Sequence, residues 1–380
     1  MDFDLSEEQR LLQDSVERLI ADEYGFEQRK ALGRAEHGYS AAMWAKFAEL
    51  GFLGLPFAED HGGFGGGPVE TMILMEAFGR GLVLEPYLAT VVMGGGFIRH
   101  GGSEAQKAAL IPEIAAGNLT LAFAHTERQS RYDLNAVETT AKRDGAGWVL
   151  NGEKGVVLHG DSAGKLFVSA RIAGGPRDRG GIGLFLVDGD ATGLTRRGYP
   201  TQDGLRAAEV SLAGVRVAAD AVFGEDALPL IERVVGEAIA ALSAEAVGAM
   251  AALHALTIDY LKTRKQFGVP IGSFQVLQHR GAEMFIALEQ ARSMAMLATM
   301  MAAADDADER RRATAGAKIQ IGRSARFIGQ QAVQLHGGIG MTMEYAAGHY
   351  FKRLTMIDLM FGDADHHLER LAAAGGLMGD

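Results

Sequence analysis

The sequence contains no cysteine among its 380 residues. Disulfide bonds, thiolate metal ligands and a thiol nucleophile are therefore excluded. Basic residues are also few, since 37 Lys and Arg are outnumbered by 48 Asp and Glu, which gives a formal net charge of -11. That balance argues against a general nucleic-acid-binding role. A phosphorylated ligand stays possible, because local basic residues or a helix N-terminus can bind one.

The sequence shows neither a targeting segment nor a membrane span. The N-terminal segment MDFDLSEEQR is acidic and polar, unlike a signal peptide. Apolar stretches such as EPYLATVVMGGGFI are too short and too rich in glycine to cross a bilayer. With 48% hydrophobic and 22% charged residues, the composition is that of a soluble globular protein of two or three domains. We therefore expect a cytoplasmic protein.

Helical patterns dominate residues 1–117, which we predict to form an N-terminal helical domain. Ser6 and Gln9 have the spacing of a capping box ahead of an apolar stripe. Similar signals predict helix starts at Ser40, at Pro68, and at Ser103 with Gln106. The segment HGGFGGG between two of these helices lacks the G-x-G-x-x-G spacing of a nucleotide loop. We interpret it as a surface turn.

The pattern changes near residue 118 and again near residue 225. Between these points, short apolar runs such as KLFVSARI and GIGLFLVDGD are separated by Gly, Asp and Asn. This spacing predicts a middle β-domain over 118–224, formed as an antiparallel barrel or sandwich. Three long helical patterns follow over 225–380, with lengths typical of a four-helix bundle. The predicted fold class is therefore a multidomain α+β protein in the order helices, β-domain, helices.

Two motifs at the ends of long helices are the most specific features of the chain. They are RKQFGVPIGSFQ, from Arg264 to Gln275, and QLHGGIGMT, from Gln334 to Thr342. Taken singly, they could be a basic helix cap and a glycine stop. Together, in this order and spacing, they resemble the acyl-CoA dehydrogenase family, and the resemblance covers the whole chain. Within that family, the chain is most similar to the small subunit of pimeloyl-CoA dehydrogenases.

The resemblance implies FAD as the cofactor, with these motifs contacting a flavin that lies mainly on the neighbouring subunit. The implied contacts are Arg264, Gln266, Phe267, Gln334, Gly337 and Gly338. Their chemistry agrees with this role, because an arginine fork pairs well with pyrophosphate. Glycines also let backbone N–H groups approach a ligand closely.

The flavin-ring region of the β-domain keeps only part of the family pattern. The positions that match are Phe123, Thr126 and Asp133. The family's Gly-Ser pair is replaced by Arg131 and Tyr132. Its tryptophan and threonine after NGEK are replaced by Val156 and Leu158. Arg131 and Tyr132 are candidate substrate contacts, or else part of a solvated loop.

The glutamate base that the family usually carries directly before a glycine is replaced here. Alignment on HYFKRLTMIDLMFG places Phe361 at that position, ahead of Gly362. Phenylalanine cannot take a proton, but its backbone N–H could still polarise a thioester carbonyl. Some relatives carry the base on the first long bundle helix, where this chain has Ala238. Glu245 shares a helical face with Ala238 and Leu242, so Leu242 is a candidate substrate contact. Glu245 is a candidate base or a buried structural carboxylate.

The segment IDLMFGDADHH carries three aspartates and two histidines within eleven residues. Further ligands do not occur at a recognisable spacing, so we predict no metal site. Asp363 or Asp365 most simply caps the last helix. Asp363 as a displaced base is the alternative.

Three functions fit these patterns. The first is an FAD-dependent acyl-CoA dehydrogenase subunit that forms a 2-enoyl-CoA and passes electrons to an electron-transfer flavoprotein. Its main active site would lie on a paired subunit of an α2β2 hetero-oligomer. The second is a self-sufficient homo-oligomeric dehydrogenase or oxidase that uses Glu245, and the third is a non-catalytic assembly subunit. The acyl chain could be a sterol side chain, or a pimeloyl or other dicarboxylyl chain whose distal carboxylate meets Arg131, His125 or His159.

Overall fold

The computed structural model describes residues 4–375 of the chain. Its first part is helical, as predicted, and consists of α1 (Glu7–Glu23), α2 (Phe26–Leu32), α3 (Ala41–Glu49), α4 (Pro68–Gly81), α5 (Gly95–Gly101) and α6 (Glu104–Ala115). A π-helical turn, Leu88–Gly94, runs directly into α5. The predicted capping boxes of Ser6 and Ser103 are both formed, and Ser40 caps α3. Local side-chain chemistry therefore determines where these helices begin.

The middle part forms one sheet of eight strands. The strands are β1 (Leu121–Ala124), β2 (Thr140–Asp144), β3 (Gly147–Leu158), β4 (Lys165–Arg171), β5 (Ile182–Asp188), β6 (Leu194–Pro200), β7 (Arg206–Val217) and β8 (Val222–Gly224). Their order is β6-β7-β3-β2-β4-β5-β8, and β1 pairs with β4 off this path. The buried residues Ala208, Val210 and Leu212 alternate with exposed ones along β7, as the pleat of a half-buried strand requires.

The prediction of a purely antiparallel domain needs one correction. Strands β1 and β2 both pair parallel with β4, whereas the other pairs of the sheet are antiparallel. A parallel pair is created by a crossover connection and not by the strands themselves. The short apolar runs of β1 and β4 therefore carry no signal of pairing direction.

The last part of the chain is helical. It contains α7 (Leu228–Thr263), α8 (Gln275–Ala302), α9 (Ala307–His336), α10 (Ala346–Leu359) and α11 (Ala364–Ala373). A small hairpin of β9 (Lys265–Gln266) and β10 (Val269–Pro270) connects α7 to α8. Helices α7 to α10 correspond to the predicted four-helix bundle. Asp363 caps α11 by accepting a hydrogen bond from the backbone N–H of His366 at 2.9 Å, which confirms the capping prediction.

The chain divides into two compact units. One contains the residues up to Ala31, Pro68–Val83 and the residues from Ile239 onward, and the other contains Leu32–Gly67 and Leu84–Ala238. Each unit joins segments that are distant in sequence. The domain boundaries at residues 117 and 224 therefore stay a prediction, because the two compact units are divided at other residues.

Helix α7 is the described helix that could cross a membrane by length and composition, since its mean hydropathy reaches 1.6. The sequence-based argument against a membrane span considered shorter segments and missed this helix. Its apolar character has a structural explanation, because 72% of its most apolar window is buried inside the protein. Helices that are hydrophobic on all sides are typical of the core of a large protein.

Helices α4 and α7 cross at two glycines. A Cβ on Gly79 would lie 1.9 Å from the carbonyl oxygen of Glu245, and a Cβ on Gly248 would lie 1.9 Å from that of Glu76. The two backbones are therefore in direct contact, which only glycine permits. This crossing fixes the segment of α7 that carries Glu245.

We predict that Gly248→Ala lowers the free energy of unfolding by about 3 kcal/mol, because the new methyl group would overlap backbone atoms that cannot rotate away. Gly281→Ala on α8 is the matched control, since its Cβ would meet only the end of the Ile258 side chain, at 3.0 Å. That control should change stability by less than about 1 kcal/mol. Urea unfolding of both variants measures the difference, and equal losses would contradict the proposed crossing.

Candidate functional site

The predicted cofactor-binding residues of the first motif lie just beyond the end of α7. Arg264 follows the helix directly and Gln266 lies in β9, and both are exposed. Phe267 occupies the turn of the β9–β10 hairpin with φ +55°, and 91% of its surface is exposed. A backbone bond from the N–H of Ile271 to the carbonyl of Arg264, at 2.8 Å, closes this loop. The motif is thus an exposed loop, closed by a backbone hydrogen bond, whose polar side chains are open to solvent.

Aromatic contacts bring the second motif beside the first. Tyr260, in the last turn of α7, lies 4.7 Å between ring centroids from His336, the last residue of α9. Tyr345 packs against both rings, at 6.4 Å and 5.1 Å. Tyr260 lies one helical turn before Arg264, and His336 directly precedes Gly337. The three rings therefore hold the two motifs next to each other.

The two motifs together fit the phosphate-bearing cofactor that the sequence predicted. Gln334, Gly337 and Gly338 are exposed, and a Cβ on either glycine would meet no described atom within 4 Å. Gly337 has φ +65°, a conformation that favours glycine. The guanidinium of Arg264 has no carboxylate partner among the described residues. An unpaired cation beside open glycine backbone is suited to pyrophosphate.

In the β-sheet, the predicted ring-contact region is organised around a buried ion pair. Nζ of Lys154 donates to Oε1 of Glu127 at 2.6 Å, and both side chains are almost completely buried. The same carboxylate accepts from the backbone N–H groups of Glu138, at 2.8 Å, and Thr139, at 3.0 Å. Burial alone would raise the pKa of Glu127, but Lys154 and these donors lower it to about 2. Glu127 therefore holds both ends of the loop 127–139.

His125 lies beside this pair with one ring nitrogen available. Its Nδ1 is 2.8 Å from Oγ of Ser169, which also accepts from Lys154 at 3.1 Å. If the Ser169 hydroxyl donates to Nδ1, the proton of His125 lies on Nε2, which is buried and has no partner among the described residues. Phe123 stacks on the same ring at 5.1 Å. Neighbouring Thr126 is exposed, and its carbonyl accepts from the N–H of Gly155 at 2.8 Å.

The loop that Glu127 holds carries the two candidate substrate contacts. Arg131 is exposed, has φ +46°, and places its guanidinium 6.0 Å from the ring of Tyr132. Asp133 pairs with Arg177 at 3.0 Å on the surface. The candidate role of Arg131 in meeting an anionic group stays a prediction.

Val156 has an unusual backbone conformation for a β-branched residue. Its φ is +53°, it is 51% exposed, and it lies where the register between β3 and β7 shifts. A left-handed conformation costs a residue with Cβ roughly 1–2 kcal/mol. Strain of this kind persists where surrounding structure imposes it, and it occurs often at ligand-binding positions.

Glu245 and Leu242 lie on α7 and are both buried, as their shared helical face predicted. Both carboxylate oxygens of Glu245 are engaged by Arg353 of α10, at 2.5 Å from Nε and 2.7 Å from Nη2. Arg353 is only 4% exposed. A fork-to-fork pair of this geometry occupies both oxygens that would accept a proton. The contact favours the structural interpretation of Glu245 over its interpretation as a base.

Glu237, which directly precedes Ala238 on α7, makes its own ion pairs. Its carboxylate contacts Arg99 and His100, each at 2.7 Å. Ala238, at the family's alternative base position, is fully buried and offers no titratable group.

Phe361 follows α10 with φ +58° and is half-buried. Its carbonyl oxygen lies 3.0 Å from Nε2 of His367. Within residues 4–375, its N–H has no hydrogen-bond acceptor. The described residues also contain no cluster of three or more His, Asp or Glu that could hold a metal ion. The segment from Ile357 to His367 thus forms a capped turn.

Sequence reasoning missed several residues that organise these sites. Arg353 lies within HYFKRLTMIDLMFG, Lys154 lies within NGEK, and Lys318 lies on α9. The available signal was the charge itself, because a charged residue inside an otherwise apolar helical stripe requires a partner when buried.

We predict that Arg353→Met lowers the free energy of unfolding by about 3–5 kcal/mol, because it leaves the carboxylate of Glu245 buried without its cation. The double variant Glu245→Leu with Arg353→Met should recover most of that loss. Urea unfolding of the single and double variants measures the coupling. If the double variant lost as much stability as the two single variants together, Glu245 and Arg353 would not be buried because of each other.

We predict that Val156→Gly raises the free energy of unfolding by about 1 kcal/mol, because glycine relieves the left-handed strain at this exposed position. Val276→Gly is the control, since Val276 is 60% exposed but lies in α8. There the same exchange should cost about 1 kcal/mol. Thermal and urea unfolding compare the two, and a loss at Val156 would remove the argument for strain.

Comparison with known proteins covers the whole chain. The acyl-CoA dehydrogenase N-terminal domain matches residues 6–118, the middle domain matches 122–215, and the C-terminal domain matches 231–376. The curated protein acyl-CoA dehydrogenase FadE12 of Mycobacterium tuberculosis is 33% identical over 352 residues, which is 90% of this chain and 88% of that protein.

Solved structures agree with this relationship. A variant of the Tcur3481-Tcur3483 steroid ACAD is 30% identical with a TM-score of 0.88, and the match covers 97% of each chain. A glutaryl-coenzyme A dehydrogenase in complex with glutaryl-CoA is 25% identical with a TM-score of 0.90, covering 99% of this chain and 96% of that one. On these matches the protein belongs to the acyl-CoA dehydrogenase family, whose enzymes use FAD to oxidise a CH–CH bond of an acyl-CoA.

Proposed function

We propose that this chain is an acyl-CoA dehydrogenase subunit that works in an α2β2 hetero-oligomer and lacks the glutamate base. The observation that carries the proposal is the contrast between its two functional regions. The FAD-contact motifs present an unpaired cation at Arg264 and open backbone at Gly337 and Gly338. At the position of the base, Phe361 offers only backbone groups. The chain is therefore equipped to hold a cofactor but not to remove a proton.

The reaction of the family is α,β-dehydrogenation of an acyl-CoA thioester to a 2-enoyl-CoA. Bound FAD would supply the acceptor for the hydride that leaves the β-carbon, and in our proposal the electrons would then pass to an electron-transfer flavoprotein. The α-proton must pass to a base within hydrogen-bond reach of that carbon. Phe361 cannot supply one, and Arg353 occupies both oxygens of Glu245. A glutamate on a partner subunit would then perform the chemistry at its own site.

The polar residues of the two motifs would hold FAD that is shared with a neighbouring subunit. Arg264 would pair with the pyrophosphate, and Gln266, Phe267 and Gln334 would contact the rest of the nucleotide. On the β-sheet, Phe123 and Thr126 would meet the ring. The exposed hairpin of β9 and β10 supports such a role, because its side chains are open to a ligand.

We propose a dicarboxylyl-CoA as the substrate class, in keeping with the likeness to pimeloyl-CoA dehydrogenase subunits. The exposed guanidinium of Arg131 supports this, because it could pair with a distal carboxylate. A bulky sterol side chain is the second candidate, and it is favoured by the 30% identical steroid ACAD. Leu242 would then contact the chain. Turnover of pimeloyl-CoA against a sterol-side-chain CoA thioester separates the two.

The subunit arrangement is tested by producing the chain alone and together with the product of any neighbouring gene that encodes an acyl-CoA dehydrogenase subunit. We expect FAD and a defined α2β2 mass only in the joint preparation, measured by flavin absorbance and light scattering. An active, flavin-loaded homo-oligomer of the lone chain would overturn the proposal. Glu245→Gln in that homo-oligomer would then test Glu245 as a relocated base. A flavin-free complex would instead indicate a non-catalytic assembly subunit.

We predict that Arg264→Ala weakens FAD binding by about 10- to 100-fold, the factor expected for a lost hydrogen-bonded charge pair. Lys265→Ala is the control, because Lys265 is an equally exposed cation next in sequence. That variant should change affinity by less than about 3-fold, as solvated surface charges contribute little. FAD titration of the assembled protein measures both, and equal effects would contradict a specific contact.

A further inference from the structure

The ammonium group of Lys318 has an unusual environment at the end of α10. The side chain is completely buried on α9, and within the described residues no carboxylate lies within ion-pair distance of it. It donates instead to two backbone carbonyls, that of Ile357 at 2.5 Å and that of Asp358 at 2.8 Å. A buried cation that is satisfied by backbone alone is costly, so its placement calls for an explanation.

Lys318 interrupts the backbone hydrogen bonding at the end of α10. In a continuing α-helix, the carbonyl of residue i accepts from the N–H of residue i+4. The carbonyl of Ile357 would therefore accept from Phe361, and that of Asp358 from Gly362. Instead, Nζ of Lys318 donates to both carbonyls in place of these N–H groups. The helix ends at Leu359, and Phe361 and Gly362 adopt φ +58° and +108°.

The displaced N–H groups are left as free donors. Within residues 4–375, neither the N–H of Phe361 nor that of Gly362 has an acceptor. Phe361 is half-buried and Gly362 is buried. Backbone N–H groups without an acceptor are rare inside folded proteins, and such a group is open to an acceptor that a ligand supplies.

His367 fixes the direction of this peptide. Its Nε2 lies 3.0 Å from the carbonyl oxygen of Phe361, and because a carbonyl only accepts, Nε2 must carry the proton. The same peptide plane contains the N–H of Gly362, which therefore points away from His367. A Cβ on Gly362 would lie 2.8 Å from that Nε2, so glycine is needed for the approach. Burial lowers the pKa of His367 to about 3 and keeps the ring neutral.

We propose that Lys318 and His367 are positioning residues that hold the N–H of Phe361, together with that of Gly362, free to donate to the carbonyl oxygen of an acyl-CoA thioester. Lys318 occupies the two helical acceptors, which leaves both N–H groups free, and His367 orients the peptide that carries the N–H of Gly362. The inference rests on the proposed function for the identity of the ligand. The release of the two N–H groups by Lys318 does not depend on it.

The first test is amide hydrogen exchange on the flavin-loaded protein, read by mass spectrometry with fragmentation across residues 357–364. Lys318→Met keeps the length of the side chain but removes the donors, so the carbonyls of Ile357 and Asp358 can recover their helical partners. Exchange at Phe361 and Gly362 should slow by about five-fold, the factor for a hydrogen bond worth ~1 kcal/mol. Simple destabilisation would change the rate in the opposite direction, so an unchanged or faster rate overturns the role of Lys318.

Leu288→Ala is the control for stability, because Leu288 is a buried core residue of α8 without a hydrogen bond to this turn. It should leave exchange at Phe361 and Gly362 unchanged or faster. Slowing in this variant as well would remove the specific argument for Lys318.

The second test measures polarisation of a bound carbonyl by isotope-edited infrared spectroscopy, with carbonyl-labelled 2-butenoyl-CoA as the probe. We expect a shift to lower frequency in the wild type that is reduced in Lys318→Met and His367→Leu. His367→Gln should retain it, since an amide can still donate to the carbonyl of Phe361. Equal shifts in all variants overturn the positioning role alone. A wild type that binds no probe, or binds it without a shift, removes the proposed thioester contact itself.

Discussion

The pairing of buried charges is the constraint on which the helical unit depends. Glu245 and Arg353 join α7 to α10 through two hydrogen bonds in surroundings that are almost free of water. Lys318 then joins α9 to the end of α10 through two backbone carbonyls. The Glu245–Arg353 pair and the ammonium group of Lys318 could not be buried without these hydrogen bonds, because isolated charges are very costly in a protein interior. Helix α10 is therefore fixed at its middle and at its end, and so is the turn at Phe361.

The β-sheet uses the same device for a different element. Lys154 and Glu127 form a buried pair whose carboxylate also accepts from the backbone at the far end of the loop 127–139. The loop carries Arg131 and Tyr132, so a buried charge at the start of the loop holds the backbone on which they lie. In both units, a buried ion pair supports a neighbouring segment that is exposed or has free polar groups. Stability and presentation of the site are thus produced by the same contacts.

Sequence reasoning succeeded where the signal is local. Ser6 with Gln9, Ser103 with Gln106, and Asp363 all act at three-residue spacing, so their caps could be predicted. It failed where partners are distant, since Glu245 and Arg353 are 108 residues apart and no periodicity connects them. The parallel pairing of β1 with β4 was missed for the same reason, because a crossover determines it. The resemblance to a family predicted the site positions but could not provide their contacts.

Left-handed backbone conformations occur at several positions that the sequence singled out. Among the described residues, six that are not glycine have positive φ, and five of these six were singled out from the sequence. These five are Arg131, Val156, His159, Phe267 and Phe361. The strain persists only where neighbours impose it, as Lys318 and His367 do at Phe361. Phe361 stands at the position where the resemblance predicts the family's base, and it combines a left-handed backbone with a side chain that cannot accept a proton. The contacts that fix this turn therefore act on the backbone and do not require an acidic side chain, which is what a site that binds a thioester without deprotonating it would need.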